Sequence, residues 1–152
     1  MTIPERLKEL LEAELARGTA GRLEDLVGVY IGKLDVLPQD KYPLVCIVTD
    51  PGKYSYNGNF VQIEHNYTLQ VGVLNASLQE AEELRDQLIF DEQASPPTGL
   101  IPFLLDNNNF TCGSTSYELT VGETATGIAK DPGSRMTAAA EIPVTITTEI
   151  II

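Results

Sequence analysis

His65 is the single histidine of the 152-residue chain, and Cys46 and Cys112 are its two cysteines. Nucleophilic catalysis would need the fold to bring a Ser–His or Cys–His pair together. His65 falls on the otherwise apolar face of an alternating segment, where it reads as a core or interface histidine. One histidine and two isolated cysteines supply no zinc-site spacing, and no EF-hand-like run of carboxylates occurs, although a carboxylate-only Mg²⁺ or Ca²⁺ site stays open. Cys46 sits inside Leu44-Val45-Cys46-Ile47-Val48 and reads as a small buried hydrophobe. Cys112 lies in a polar stretch; a disulfide is allowed but nothing demands it, and two free thiols are expected.

The remaining reactive-looking patterns are weaker. Gly28-Val29-Tyr30-Ile31-Gly32-Lys33-Leu34 resembles a phosphate loop but is one residue short between its glycines. Leu34 also stands where a magnesium-holding Ser or Thr belongs, and the apolar interior fits a strand better. Glu82-Glu83 and Asp91-Glu92 are adjacent pairs whose side chains point in different directions, as solvated surface does. Asn66-Tyr67-Thr68, Asn75-Ala76-Ser77 and Asn109-Phe110-Thr111 match the glycosylation pattern, which has meaning only on a secretory route. The expectation is a protein that is not an enzyme and carries no cofactor.

Composition narrows the class. A hydrophobic fraction of 43% with mean hydropathy −0.03 is that of a folded globular chain. No apolar run approaches the ~18 residues that span a bilayer. Met1-Thr2-Ile3-Pro4-Glu5-Arg6 lacks the basic-then-apolar order of a secretory signal, so synthesis in a cytoplasm and no membrane partner are expected. The formal net charge of −12 repels phosphate and argues against groove-reading DNA recognition. It equally suits plain solubility, or a surface that nucleic acid must pass without sticking. No Lys or Arg occurs between Arg85 and Lys130.

The elements that must position these residues follow from periodicity. Thr2 and Glu5 make a capping-box pattern ahead of a helix to about Ala16, with Leu7, Leu10, Leu11 and Leu15 as its apolar stripe and Gly18 as a stop. A short strand near Val27–Gly32 precedes a loop through Leu37-Pro38-Gln39-Asp40. Leu44–Thr49 reads as a central strand, broken by Asp50-Pro51-Gly52, with Tyr54–Asn59 as an exposed hairpin tip. Val61–Asn75 alternates apolar and polar residues, and at ~3.3 Å per residue would span roughly 40–50 Å, beyond the usual length. Part of it is expected to project, with Gly72 as a bend. Ser77 and Glu80 cap a second helix, Leu78–Ile89, whose inner stripe is Leu78, Ala81, Leu84 and Leu88. Asp91–Gly99 reads as loop, Leu100–Leu105 as a short helical turn at most, and Asp106–Ser116 as loop. Tyr117–Thr124 is a strand, and Asp131-Pro132-Gly133 a turn. Met136–Ile152 alternates again, with Pro143 marking an edge or a bulge. The apolar end Ile150-Ile151-Ile152 is expected to dock in the subunit's own core or on a neighbour. One domain over residues 1–152 results, an α+β fold with a mainly antiparallel sheet and two amphipathic helices packed on one face.

This order and texture resembles the tail terminator (minor tail protein U-like) subunits of long-tailed bacteriophages. The resemblance is carried by the N-terminal helix Pro4–Ala16, by Leu37-Pro38-Gln39-Asp40-Lys41-Tyr42-Pro43-Leu44-Val45-Cys46-Ile47, and by the strand Gln62–Val73. Ser77–Ile89, as a helix across the sheet, and Ala138–Glu149, as the final strand, complete it. Asp91–Gly99 and Asp106–Lys130 have no counterpart in the family pattern. The resemblance implies a virion protein, a homohexameric ring that caps the tail tube and ends its polymerisation. Its implied partners are the tail tube protein and the head or neck connector, with a tail sheath as a further candidate, and DNA passes the bore without specific binding. Contacts in such a ring are head-to-tail, and the candidates for them are Lys53, Tyr54, Tyr56, Tyr67, Ile150, Ile151 and Ile152. Rival readings are another neck, head-completion or baseplate subunit, a ligand-binding or enzymatic domain, and a cytosolic adaptor.

Overall fold

Thr2 accepts a hydrogen bond from the Glu5 backbone N–H at 3.3 Å, and the Glu5 carboxylate accepts one from the Thr2 N–H at 2.9 Å. This reciprocal cap starts helix α1 (Ile3–Leu15) in the computed structural model, which describes residues 1–32, 42–131 and 133–152. The expected loop Leu37–Asp40, the Lys33-Leu34 end of the phosphate-loop lookalike, and Pro132 of the expected turn lie outside the described residues. A 3₁₀ turn at Gly18–Ala20 follows, with Gly18 at a φ of +58°.

The rest of the chain runs β1 (Gly28–Ile31), β2 (Leu44–Asn57), β3 (Phe60–Val73), α2 (Leu78–Ile89), α3 (Leu100–Asp106), β4 (Asn109–Cys112), β5 (Thr115–Val121), β6 (Ala125–Lys130) and β7 (Met136–Ile151). Among the described residues these strands form one seven-stranded sheet of order β1-β2-β3-β7-β5-β4, with β6 also on β7. The fold is α+β and the sheet is mixed: β1 runs parallel to β2, and the other pairings are antiparallel.

One face of the sheet carries the core. Leu7 and Leu11 of α1, Leu88 of α2, and Leu100 and Leu104 of α3 pack with Val45, Ile47, Leu69, Val71, Val73, Ala138, Ile142 and Ile146. Each such Leu, Ile or Val side chain contributes on the order of 1.5–3 kcal/mol by leaving water. Glu14 is buried on the same side of α1, where it accepts from the Arg22 backbone N–H at 3.0 Å and from Arg17 at 3.1 Å.

Several expectations change. Among the described residues there are three α-helices, not two, because Leu100, Phe103 and Leu104 give α3 a buried face of its own. In α2 only the serine half of the cap forms, with Glu80 N–H donating to the Ser77 hydroxyl at 3.1 Å. Leu78 is exposed, and Arg85 takes the buried position instead, donating to the Gly127 carbonyl of β6 at 3.0 Å. Asp50-Pro51-Gly52 does not end β2. The register slips between Asp50, opposite Asn66, and Lys53, opposite Glu64, so Pro51 and Gly52 together face His65 in a bulge. A Cβ on Gly52 would sit 2.8 Å from the Glu64 carbonyl oxygen, so the bulge needs glycine there.

Gly72 is no bend: pairing runs through it on both sides, and its missing Cβ makes room for the Tyr42 ring 3.2 Å away. The stretch expected as loop over Asp106–Ser116 holds most of the β4–β5 turn, anchored by buried Phe110 and reversed at Gly113 with a φ of +63°. Strand β6 has no counterpart in the sequence reading, since every residue in it is exposed. Pro143 lies neither on an edge strand nor in a bulge. It stands in mid-sheet at the gap where β6 gives way to β5, and its carbonyl accepts from the Gly122 N–H at 2.8 Å.

Candidate assembly surface

Past Thr147, the last residue of β7 that pairs with β5, the paired ladder narrows to three strands. The outer half of β2 from Lys53 to Asn57, β3 from Phe60 to Glu64, and β7 from Thr147 to Ile151 stay in register as an arm. On the helix side of β3, burial ends at Tyr67; Ile63 and Val61 further out are only half-buried. The hairpin reverses at Gly58, with a φ of +60°. The chain end is held by the Ile152 N–H donating to the Asn59 carbonyl at 2.9 Å.

Directly opposed residues of antiparallel strands share a face. Tyr54, Ile63 and Thr148 therefore make one row on the helix side of the arm, and Tyr56, Val61 and Ile150 make the next. Tyr54 and Tyr56 are 63% and 76% exposed. The opposite face carries the rows Lys53–Glu64–Thr147 and Ser55–Gln62–Glu149, then Asn57, Phe60 and Ile151.

The structure thus brings Tyr54, Tyr56 and Ile150 onto one apolar face. It puts Lys53 and Ile151 on the other and leaves Ile152 at the tip. Tyr67 does not join them. It is 5% exposed within the core, where burial raises its pKa. The terminal isoleucines are not docked in the subunit's own core: Ile151 and Ile152 are 71% and 85% exposed.

The helix-free face is polar and bonded to itself. The Thr68 hydroxyl donates to Asp50 at 2.5 Å, the Thr145 hydroxyl to the Asn66 side-chain oxygen at 3.0 Å, and the Asn66 amide to Glu64 at 3.0 Å. By register this face of β2, β3, β5 and β7 presents Asp50, Glu64, Glu118, Glu141 and Glu149, against Lys53 as the one basic residue of those strands.

A groove of about 480 Å³ opens on the same face, floored by Leu44, Cys46, Gly72 and Ala139 and rimmed by Tyr42 and Asp131. The Tyr42 hydroxyl donates to Asp131 at 3.2 Å, and the Arg135 guanidinium, 5.7 Å from the Tyr42 ring centre, pairs with Asp131 at 2.7 Å. Burial, helped by the Asp131 charge, pushes the Tyr42 phenol up to about 12. Burial alone would raise Asp131. The Arg135 backbone N–H, its guanidinium and the Tyr42 hydroxyl outweigh that and hold the carboxyl below its ordinary value.

No sequence spacing foretells this groove, because its lining comes from Tyr42, β2, β3, the end of β6, β7 and the turn between the last two. Among the described residues no group of His, Cys, Asp and Glu has the geometry to hold a metal ion. His65 meets the Tyr117 ring edge-on, at 6.1 Å between centres. The Cys112 thiol donates to the Met1 carbonyl at 3.5 Å, and no disulfide joins Cys46 and Cys112. No described helix is long and apolar enough to cross a membrane. No protein-family model and no curated protein matches the sequence.

Proposed function

We propose that this chain is a structural virion subunit of a long-tailed bacteriophage, similar to the tail terminators. It assembles into a ring that caps the tail tube, stops its growth and offers a face to the head or neck connector. In this reading the fold is the tail-terminator arrangement, a mainly antiparallel sheet with its amphipathic helices on one face, and the protein has no catalytic role. The observation that carries the reading is the three-stranded arm. It extends past the last pairing of β7 with β5, exposes Tyr54, Tyr56 and Ile150 on one face, and ends in exposed isoleucines that serve no core.

The acidic helix-free face supports the second half of the reading. Turned toward a bore, Asp50, Glu64, Glu118, Glu141 and Glu149 would repel a DNA backbone and keep its passage free, with salt screening the effect beyond ~8–10 Å. The experiment is to purify the chain, image it by negative stain, and mix it with polymerising tail tube protein. Rings on tube ends and tubes of limited length are expected; a chain that stays monomeric and leaves tube length unchanged overturns the proposal. The groove beside Tyr42 favours one rival, a ligand-binding domain. That rival requires a small molecule to co-purify with a monomer and to be lost in Gly72→Leu, which fills the groove floor.

A further inference from the structure

We propose that copies of this chain join through the two outer edges of the arm, the β7 edge of one copy taking the β2 edge of the next as a parallel neighbour. This rests on the ring reading above and names the surface that closes the ring.

The direction of the backbone groups on β7 can be read from its ends. The Pro143 carbonyl accepts from Gly122, away from β3, whereas the Ile152 N–H donates to Asn59 at the β3 end of the hairpin. Backbone groups alternate sides along a strand, so even-numbered residues of β7 serve β3 and odd-numbered ones face the other way. Pairing with β5 stops at Thr147, opposite Glu118. Glu149 and Ile151 therefore point their N–H and C=O groups outward, where no described strand pairs with them, although the Ser116 carbonyl of β5 still takes the Thr148 hydroxyl at 3.0 Å. On the far side of the arm, pairing of β1 with β2 stops at Ile47, whose carbonyl also takes the Gly32 N–H at 2.8 Å. Among the described residues no strand pairs with the outer edge of β2 from Lys53 to Asn57.

Open edges invite pairing, and proteins usually blunt them with prolines, charges or short strands. Here Tyr54–Asn57 and Glu149–Ile151 contain no proline. The two edges also complement each other. On the helix side Tyr54 and Tyr56 would meet Ile150. On the helix-free side Lys53 would meet Glu149. Both strands are antiparallel to β3 and so run the same way. A rotation about an axis along the strands keeps that direction, which makes the junction parallel and head-to-tail, the type that closes rings. Six copies giving three strands each, at ~4.8 Å per strand and a tilt of ~40°, would close at roughly 35 Å between opposite backbones. That is a bore of the order of a nucleic-acid duplex with side chains around it.

Pro143 shows that β7 tolerates proline at an odd position, so Glu149→Pro removes an outward donor while sparing the β3 ladder. Native mass spectrometry and sedimentation of the full chain should show association weakened by at least about tenfold in Glu149→Pro, with circular dichroism and thermal midpoint close to wild type. Glu149→Gln should weaken it less. Rings that persist in a folded Glu149→Pro overturn the edge junction and leave the ring reading standing; a wild-type chain that stays monomeric at high micromolar concentration overturns both.

Should Glu149→Pro fail to fold, Ser55→Cys with Glu149→Cys in a Cys112→Ser background decides. Within one copy β3 separates these two positions by ~9.5 Å, beyond the ~7 Å reach of a disulfide. Oxidation is expected to give a ladder of covalent multimers in the double-cysteine chain, and at most dimers with either cysteine alone. Rings without that ladder sink the proposal.

Discussion

Tyr42 gives its hydroxyl hydrogen to Asp131, 89 residues further along the chain, at 3.2 Å. The bond ties the segment entering β2 to the turn between β6 and β7, and both partners titrate away from their ordinary range, Tyr42 chiefly through burial and Asp131 chiefly through Arg135. The Tyr42 phenol, raised from 10.0 to about 12, favours the folded state while it is protonated. Its contribution is complete below pH 10 and is lost as pH climbs toward 12. Asp131 has a lowered pKa, so its contribution is present above about pH 4 and fades as pH falls through the folded value. Thermal midpoints across pH should therefore drop at both ends. Tyr42→Phe should flatten the alkaline limb, and Asp131→Asn should lower the neutral midpoint and flatten the acid limb.

Arg85 is buried and reaches across to the Gly127 carbonyl of β6, a strand with no buried residue of its own. Arg85→Ala should cost about 2–3 kcal/mol in chemical denaturation. Amide exchange, followed by mass spectrometry, should quicken in Ala125–Lys130 more than in β3.

Exposed and buried tyrosines should separate cleanly. Tyr67→Ala removes a core ring and is expected to cost about 3–5 kcal/mol of monomer stability. Tyr54→Ala and Tyr56→Ala should change monomer stability by no more than about 0.5 kcal/mol, yet lower the assembled fraction seen by native mass. Equal effects of all three on the thermal midpoint would contradict the face assignment.

Deleting Ile150–Ile152 removes the last row of β7 and the tip bond to Asn59. Assembly should weaken while far-ultraviolet circular dichroism keeps its helical signal, because α1, α2 and α3 pack on a core that none of Ile150–Ile152 joins. An unchanged oligomer mass would count against a role for these residues between copies.

Gly72→Val should displace Tyr42, whose ring lies 3.2 Å from the position of a Cβ there, and cost about 1–3 kcal/mol. The alkaline limb should weaken with it, since the phenol would leave Asp131.

What the sequence discloses follows from where burial imposes a rhythm. Leu69, Val71 and Val73 alternate with Thr68, Gln70 and Gly72 because one face is core, so β3 and most of β7 are legible. Thr2 and Glu5 announce α1 because capping is a local bond. Strand β6 is silent since nothing in it is buried, and β4 is nearly so, with Phe110 as its one buried residue. The Pro-Gly pair within β2 looks like a terminator because a bulge and a turn use the same residues. Tyr67 shares parity with Leu69 and Val71, a signal of burial that outweighs its being a tyrosine. The parallel placement of β1 and the groove beside Tyr42 depend on partners distant in the chain, and local pattern carries no record of them.

Thr68, Thr145 and Asn66 spend their donors on Asp50, on Asn66 and on Glu64. A hydroxyl already committed to a neighbour offers little to a passing phosphate, and carboxylates offer it nothing. If the proposed bore lies here, a polyanion drawn along this face would find these three donors already taken and the carboxylates repelling it.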